Sequence, residues 1–399
     1  MLSLVETNVR DSAIAVAMSY RARADEAAAE IRSVLADHDF ALLIVYFSAR
    51  YDASQLAREL AAAFPGVLLA GCSTAGEMTP EGMCNNSVVA VGLDRSAFTV
   101  VTRCMTDISQ QSMNDTRQFA ADALRELREA RQRAGFPRLP RGRDGQDRPA
   151  DRIFALLHTD GMSHVEEKLV CAISGSLVNI PLIGGSAGDG LRFRRTHVIH
   201  NGKAHSDAAV FALVSCRFPL MTFSSSHFSP TPVKLVVTSA DVDRRIVREL
   251  NGAPAASEYA AALGLGNKPL SPQCFAAHPV AVRVGGGYYV RSIQKVNDDG
   301  SLSFLCAIDE GIVLSLARAN DIVGSTERTF EKLRASIGQP QIVLAFECIW
   351  RRVEAELQRA DNRLADIYRR NNVIGFHTYG EQCKTLHLNQ TVSGIAIGR

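Results

Sequence analysis

The chain has 399 residues, of which 46% are hydrophobic and 7% aromatic, and this is enough apolar material for at least two cores of ordinary domain size. The 44 lysines and arginines are nearly matched by 42 acids, so the formal net charge of +2 favours neither nucleic acid nor an anionic membrane as a partner. The nine cysteines include no Cys-x-x-Cys pair, which argues against a structural zinc site and against covalently attached haem.

The first 34 residues are predicted to form an N-terminal helical segment, with its helix near residues 25–35. Residues 1–20 mix Glu6, Arg10 and Asp11 with apolar side chains and never build a hydrophobic stretch of signal-peptide length. No apolar run approaches the roughly 20 residues that span a bilayer. These observations predict a cytoplasmic protein without a membrane partner.

Three segments share one pattern, in which an apolar run, a helical stretch and a second apolar run lead to a glycine-rich turn closed by an acid. Each segment predicts a strand, a helix and a strand that pairs in parallel through a right-handed crossover. The initial runs are residues 42–46, 153–157 and 342–346, and the turns are residues 71–77, 184–189 and 375–381. The sequence therefore predicts an α/β protein with repeated strand-helix-strand units and mixed sheets.

The three turns are candidate walls of a ligand pocket, because ligands of open α/β sheets bind beyond the carboxyl ends of the strands. A purely structural role of glycine in turning the chain competes with this interpretation. No turn has the Gly-x-x-x-x-Gly-Lys-Ser/Thr pattern of a phosphate loop. The predicted pocket residues are Gly76, Glu77, Gly188, Asp189, His377, Tyr379, Glu381 and Asn389.

The segments between and after these units predict connections and one further helix. Residues 135–150 combine prolines and arginines with few apolar side chains, which predicts a solvated loop. Residues 220–232 predict a domain junction, and Gly285–Gly287 predicts a hairpin turn because strand-like runs flank it. One amphipathic helix is expected from about residue 350 to 370.

Four motifs in order resemble the FIST sensory domain: GCSTAGE at 71–77, IGGSAGD at 183–189, GFHTYGE at 375–381 and HLNQT at 387–391. The resemblance covers roughly residues 35–397. It implies two domains, with the FIST N-terminal domain at 35–229 and the FIST C-terminal domain at 230–397.

The chain is also similar in length and type to bacterial haem-containing FIST proteins that sense nitric oxide. This resemblance implies non-covalent haem b, nitric oxide as the ligand, and a partner histidine kinase that controls cyclic di-GMP, biofilm or quorum-sensing output. The oligomeric state, including a homodimer, is left open.

His227 is the candidate axial ligand, because the resemblance leads us to expect glycine near this position in ordinary family members. Haem iron binds a neutral imidazole that is held on a stiff support within an apolar pocket. Pro230 fixes the chain beyond His227, and Met221, Phe223 and Phe228 would supply the apolar wall. The alternative is a loop histidine that is hydrogen-bonded at the domain junction.

Two other functions compete with haem sensing. A haem-free FIST sensor would bind an amino acid or similar metabolite between the turns, with Glu77, Asp189 and Glu381 binding an ammonium group and backbone amides binding a carboxylate. An enzyme has less support, because the chain has no recognisable nucleophile elbow and the turn acids lack a base partner. We therefore expect no catalytic activity.

Overall fold

The computed structural model describes residues 13–136, 152–177, 179–266 and 268–399. Within these residues, one order of elements occurs three times: an edge strand, a helix, a strand, a helix, a strand, a short hairpin and a last strand. We call these three units the repeats. The predicted solvated loop lies outside the described residues from residue 137 onward.

The first repeat spans residues 14–94 and opens with a strand, although the sequence predicts only helix before residue 35. Its second helix begins at a capping residue, because the carboxylate of Asp52 accepts a hydrogen bond from the amide of Gln55 (2.7 Å). The elements are β1 (Ile14–Ser19), α1 (Ala24–Val34), β2 (Phe40–Ser48), α2 (Ala53–Ala63), β3 (Leu68–Thr74), β4 (Glu77–Thr79), β5 (Gly82–Cys84) and β6 (Val88–Asp94).

The second repeat spans residues 98–216. Its first parallel strand is buried along its whole length, as expected for a strand that is covered on both faces. The elements are β7 (Phe98–Thr106), α3 (Met113–Arg133), β8 (Ile153–Thr159), α4 (Glu166–Ser176), β9 (Leu182–Ser186), β10 (Val198–His200), β11 (Lys203–His205) and β12 (Ala208–Cys216).

The third repeat begins with β13 (Leu220–Ser225) and is then interrupted by an inserted module, residues 228–319. The amide of Asn320 donates to the carbonyl of His227 (2.8 Å), so the chain leaves and re-enters the repeat at one point. The module contains β14 (Phe228–Asp241), β15 (Ile246–Leu250), β16 (Ala253–Pro254), α5 (Ala255–Ala262), α6 (Pro272–Ala277), β17 (Val280–Val284), β18 (Gly287–Arg291), β19 (Ile293–Val296), β20 (Leu302–Phe304) and β21 (Val313–Ala319). The glycine-rich hairpin is confirmed between β17 and β18, and the predicted domain boundary at 229/230 lies within β14.

The rest of the third repeat departs from the sequence prediction at its second helix. The single helix predicted over 350–370 is wrong, because Arg359 adopts a positive φ of 54° and ends the first of two shorter helices. The elements are α7 (Ile322–Ile337), β22 (Ile342–Cys348), α8 (Ile349–Leu357), α9 (Asp361–Arg370), β23 (Val373–Thr378), β24 (Glu381–Cys383), β25 (Leu386–Leu388) and β26 (Val392–Ile397). No helix in the described part of the chain is long and apolar enough to cross a bilayer.

The three repeats build three six-stranded mixed sheets with the same strand order, and each sheet is completed by a hairpin from another repeat. The orders are β1-β6-β2-β3-β10-β11, β7-β12-β8-β9-β24-β25 and β13-β26-β22-β23-β4-β5. The hairpin β4–β5 of the first repeat completes the sheet of the third repeat. The hairpin β24–β25 of the third repeat completes the sheet of the second, and the hairpin β10–β11 of the second completes the sheet of the first. The inserted module forms a separate eight-stranded sheet, and the predicted α/β class with parallel strand-helix-strand units is confirmed.

The inner faces of the three sheets enclose one common apolar core, whereas each outer face packs against the helices of its own repeat. In the common core the ring of Tyr46 lies 4.7 Å from that of Phe376 and 6.3 Å from that of Phe346, centroid to centroid. Side chains of the first and third repeats thus meet at the centre of the molecule.

Gly71, Gly184 and Gly375 take the same position in the three repeats, inside β3, β9 and β23 instead of in the predicted turns. A Cβ atom at these positions would lie 1.9, 1.9 and 1.7 Å from a carbonyl oxygen of the neighbouring parallel strand. Glycine is therefore required for the close approach of the two strands, and the chain turns only after these glycines, at residues 75–76 in the first repeat and 379–380 in the third.

Candidate functional site

The three acid-closed segments meet where the sheets come together. The amide of Gly188 donates to the carbonyl of Ser73 (3.0 Å), and the amide of Ala75 donates to the carbonyl of His377 (2.9 Å). The amide of Ser186 donates to the carbonyl of Gly380 (2.9 Å) and closes the ring. Each repeat is thus hydrogen-bonded to both others through the segments that the sequence analysis singled out.

Glu77 and Glu381 are buried and hold equivalent hydrogen bonds in the first and third repeats. Glu77 accepts from the hydroxyl of Ser87 (2.7 Å), and Glu381 accepts from the hydroxyl of Thr391 (2.6 Å). Each carboxyl also accepts from the threonine three residues before it. Burial raises the pKa of Glu77 and raises that of Glu381 to about 8. That these acids bind an ammonium group stays a prediction, and protein donors already occupy both of them.

The other predicted residues of the third repeat are also buried. The ring of His377 has no hydrogen-bond partner among the described residues, and burial lowers its pKa well below the ordinary value. Asn389 donates to the carbonyl of Tyr379 (3.3 Å) and accepts from the amide of Ser292 in the inserted module (3.5 Å). Gly76 has a φ of +135° and donates to the hydroxyl of Thr74 (3.3 Å). His377, Tyr379, Asn389 and Gly76 are thus all buried, and Asn389 joins the third repeat to the inserted module.

The second repeat departs from the other two directly after its glycine-rich strand. Only two residues separate β3 from β4 and β23 from β24, whereas eleven residues, 187–197, separate β9 from β10. We call these eleven residues the arginine loop. Apart from the inserted module, they are the main irregularity in the three-fold arrangement of the described residues, and they include Gly188 and Asp189.

Asp189 organises the arginine loop from within. Its carboxylate accepts hydrogen bonds from the amides of Phe193 (2.8 Å), Arg194 (3.1 Å) and Arg195 (3.0 Å), and it is also bonded to the hydroxyl of Tyr379. An ionised carboxylate with several amide donors is held firmly. Asp189 therefore fixes the backbone from which three arginine side chains project.

The arginine loop forms one wall of an open cavity of about 350 Å³. The opposite wall is the carboxyl end of β2 and the first turn of α2, so the cavity lies where ligands of α/β sheets bind. Burial and the nearby Arg195 lower the pKa of His197, which lines the cavity. The lining residues are Phe47, Ala49, Tyr51, Asp52, Ala53, Ser54, Asp189, Arg192, Arg194, Arg195 and His197.

Of the predicted pocket residues, the structure brings only Asp189 to this cavity. Sequence reasoning missed the arginines at positions 192, 194 and 195, although the run of three basic residues directly after an acid-closed segment was a visible signal. It also missed the contribution of the first turn of α2, because nothing local in the sequence indicates which distant loop it faces.

His227 is buried in an ionic cluster at the base of the inserted module. Arginine can only donate, so the contact from Nη1 of Arg351 to Nδ1 of His227 (2.8 Å) puts the ring proton on Nε2, which donates to Glu354 (2.7 Å). Burial, with Arg351 adding to it, lowers the pKa of His227 to about 2. Both ring nitrogens are thus occupied by protein partners.

The residues around His227 do not fit a haem. Phe223 packs against Phe330 of α7, and Met221 is part of the same cluster. The ring of Phe228 lies 4.2 Å from that of His227, centroid to centroid, and is tilted by 45° to it. Pro230 is exposed within β14.

No group of three or more His, Cys, Asp or Glu side chains in the described ranges could hold a metal ion. The axial-ligand assignment stays a prediction, and the hydrogen bonds correspond to the alternative of a junction histidine.

Comparison with known proteins identifies the family of this chain. The FIST N domain profile matches residues 41–253, and the FIST C domain profile matches residues 255–384. An uncharacterized protein of Methanocaldococcus jannaschii is 24% identical over 263 residues, which is 57% of this chain, and the chain spans about half (51%) of the length of that relative. FIST domains are sensory domains of signalling proteins. Since the FIST N profile alone matches more than half of the residues, the chain belongs to the FIST family.

Proposed function

We propose that this FIST protein is a cytoplasmic, haem-free sensor that binds a small metabolite in the cavity beside the arginine loop and signals to a partner histidine kinase. The observation that carries the proposal is the local break in three-fold symmetry, where an eleven-residue loop replaces a two-residue link and lines a cavity. A volume of about 350 Å³ lies within the ordinary range for ligand sites. No nucleic acid or membrane partner is proposed.

A chain of aromatic contacts supports a sensory role for this cavity. Phe193 of the arginine loop lies 4.6 Å from the ring of Tyr379 and 6.0 Å from that of Trp350 in α8, measured between centroids. Trp350 in turn lies 6.3 Å from Phe275 of the inserted module. A ligand that changes the position of the arginine loop would therefore act on α8 and on the inserted module, which offer surfaces to a partner.

Replacing Asp189 with asparagine should weaken metabolite binding by about tenfold or more, because an amide cannot replace a carboxylate that accepts several hydrogen bonds. The measurement is thermal shift against a metabolite library, followed by titration of each hit. Asp299→Asn is the matched control, since Asp299 is an exposed acid of the inserted module that accepts from Ser301. If the hits bind both variants as tightly as they bind the unmodified protein, the metabolite site lies elsewhere.

Haem-based sensing of nitric oxide, the function that the closer resemblance implies, is tested separately. Because both ring nitrogens of His227 have protein partners, we expect protein expressed with a haem precursor to show no stoichiometric Soret band. A band that shifts with nitric oxide and is lost in His227→Ala would instead support the haem sensor. His278→Ala, a change in an exposed histidine of the inserted module, serves as the control.

A further inference from the structure

We propose that the ligand of the cavity is a short-chain organic dianion. This inference rests on the proposed function and names the ligand class of that same site. Its basis is an imbalance between the cationic and anionic groups that line the cavity. The guanidinium groups still have donors to offer, whereas the carboxylate of Asp189 is held by backbone amides and one oxygen of Asp52 caps α2.

The three arginines retain most of their capacity to bind oxyanions. Arg192 donates through Nε to the carbonyl of Asp189 (2.8 Å), which leaves its terminal nitrogens for other partners. The side chains of Arg194 and Arg195 form no hydrogen bond or ion pair with any residue that the structure describes. Guanidinium groups bind carboxylate and phosphate oxygens in paired contacts. Three of them along one loop form a binding surface for more than one negative charge.

The two acids of the cavity cannot receive an ammonium group in the same way. The carboxylate of Asp189 accepts three amide hydrogen bonds and that of Asp52 caps α2. Burial and Arg195 lower the pKa of His197, so its ring supplies no positive charge at pH 7 and, like any imidazole, no negative charge for an ammonium group. An amino acid would therefore find three guanidinium groups for its carboxylate but only the second oxygen of Asp52 for its ammonium group.

The opposite wall suits the other end of a short ligand. The first turn of α2 presents the hydroxyl of Ser54, and the one acid on this wall is the capping Asp52, whose carboxylate already accepts from the amide of Gln55. Phe47 and Ala53 also line this wall, although the side chains of both are buried. A ligand with acidic oxygens and a short carbon chain would contact both walls at once.

The test compares probes of equal chain length by isothermal titration calorimetry at pH 7.5 and low salt. Succinate carries two negative charges, butyrate one, and 4-aminobutyrate is a zwitterion; glycerol 3-phosphate and glycerol form a second pair that distinguishes a phosphate from a dicarboxylate source. We expect one of the dianions to bind at least about tenfold more tightly than its matched probes. We also expect binding to weaken as salt rises, because the arginines are exposed.

The double variant R194A/R195A should abolish this preference, whereas Arg58→Ala should preserve it. Arg58 is an exposed arginine of α2 that does not line the cavity, so it controls for the loss of one positive charge outside the cavity. Equal binding of butyrate or 4-aminobutyrate, or binding of neither dianion, overturns the ligand class. If the metabolite library still gives hits that depend on Asp189, the proposed function survives that result; if the library gives none, the proposed function fails as well.

Discussion

Replacing Gly184 with alanine is expected to lower the free energy of unfolding by about 3 kcal/mol or more. The added Cβ atom would lie 1.9 Å from the carbonyl oxygen of Leu157, which is backbone in the adjacent strand and cannot rotate away. That strand is also held by β12 on its other side, so a shift would break hydrogen bonds in both ladders. Urea unfolding followed by circular dichroism measures the change.

Gly175→Ala is the matched control for this substitution. Gly175 lies in α4 with no atom within 4 Å of the position of an added Cβ, and its backbone is not in the left-handed region. Alanine there should stabilise the helix by up to about 1 kcal/mol. Equal stability of the two variants would show that the close strand approach at Gly184 is not required.

Replacing Arg351 with leucine is expected to cost about 3–5 kcal/mol of unfolding free energy, the second large effect. The Arg351 and Glu347 side chains are both fully buried, and Nε of Arg351 donates to Glu347 (2.6 Å) while Nη1 donates to His227. Leucine would leave the carboxylate of Glu347 without its cation in the core, and this uncompensated charge is the main source of the loss.

Two further variants make the Arg351 result interpretable by urea unfolding. Arg363→Leu removes an exposed arginine of α9 and should change stability by less than about 0.5 kcal/mol. The double variant in which leucine replaces Arg351 and glutamine replaces Glu347 should recover part of the loss, because no ionised carboxyl remains unpaired. A loss that the second change makes larger would contradict the charge explanation.

The repeated strand-helix-strand units could be predicted from sequence because their signals are local. The apolar runs at residues 42–46, 153–157 and 342–346 are central parallel strands, which are continuously hydrophobic when both faces are covered. The break in the helix after Leu357 was not predictable from periodicity, since both halves continue the same apolar stripe and only the left-handed Arg359 separates them.

The candidate site could be predicted only in part because its walls come from distant segments. Asp189 was singled out as an acid at a strand end, but its partners Arg194 and Arg195 were not. The exchange of hairpins could not be predicted either. The strand β4 pairs with a strand roughly 300 residues later, and no local sequence pattern indicates such a pairing. For His227, a resemblance suggested haem, whereas its hydrogen-bond partners lie more than 100 residues away.

The exchange of hairpins between repeats constrains how this chain can be made. The roughly 300 residues that separate β4 from β23 take about 15–60 s to synthesise at ordinary translation rates. During that time the hairpin β4–β5 has emerged without the strand that it pairs with, and unpaired strand edges promote aggregation. The first two repeats therefore cannot fold completely, one after the other, while the chain is still on the ribosome. We expect nascent chains that stop before residue 373 to require binding by chaperones.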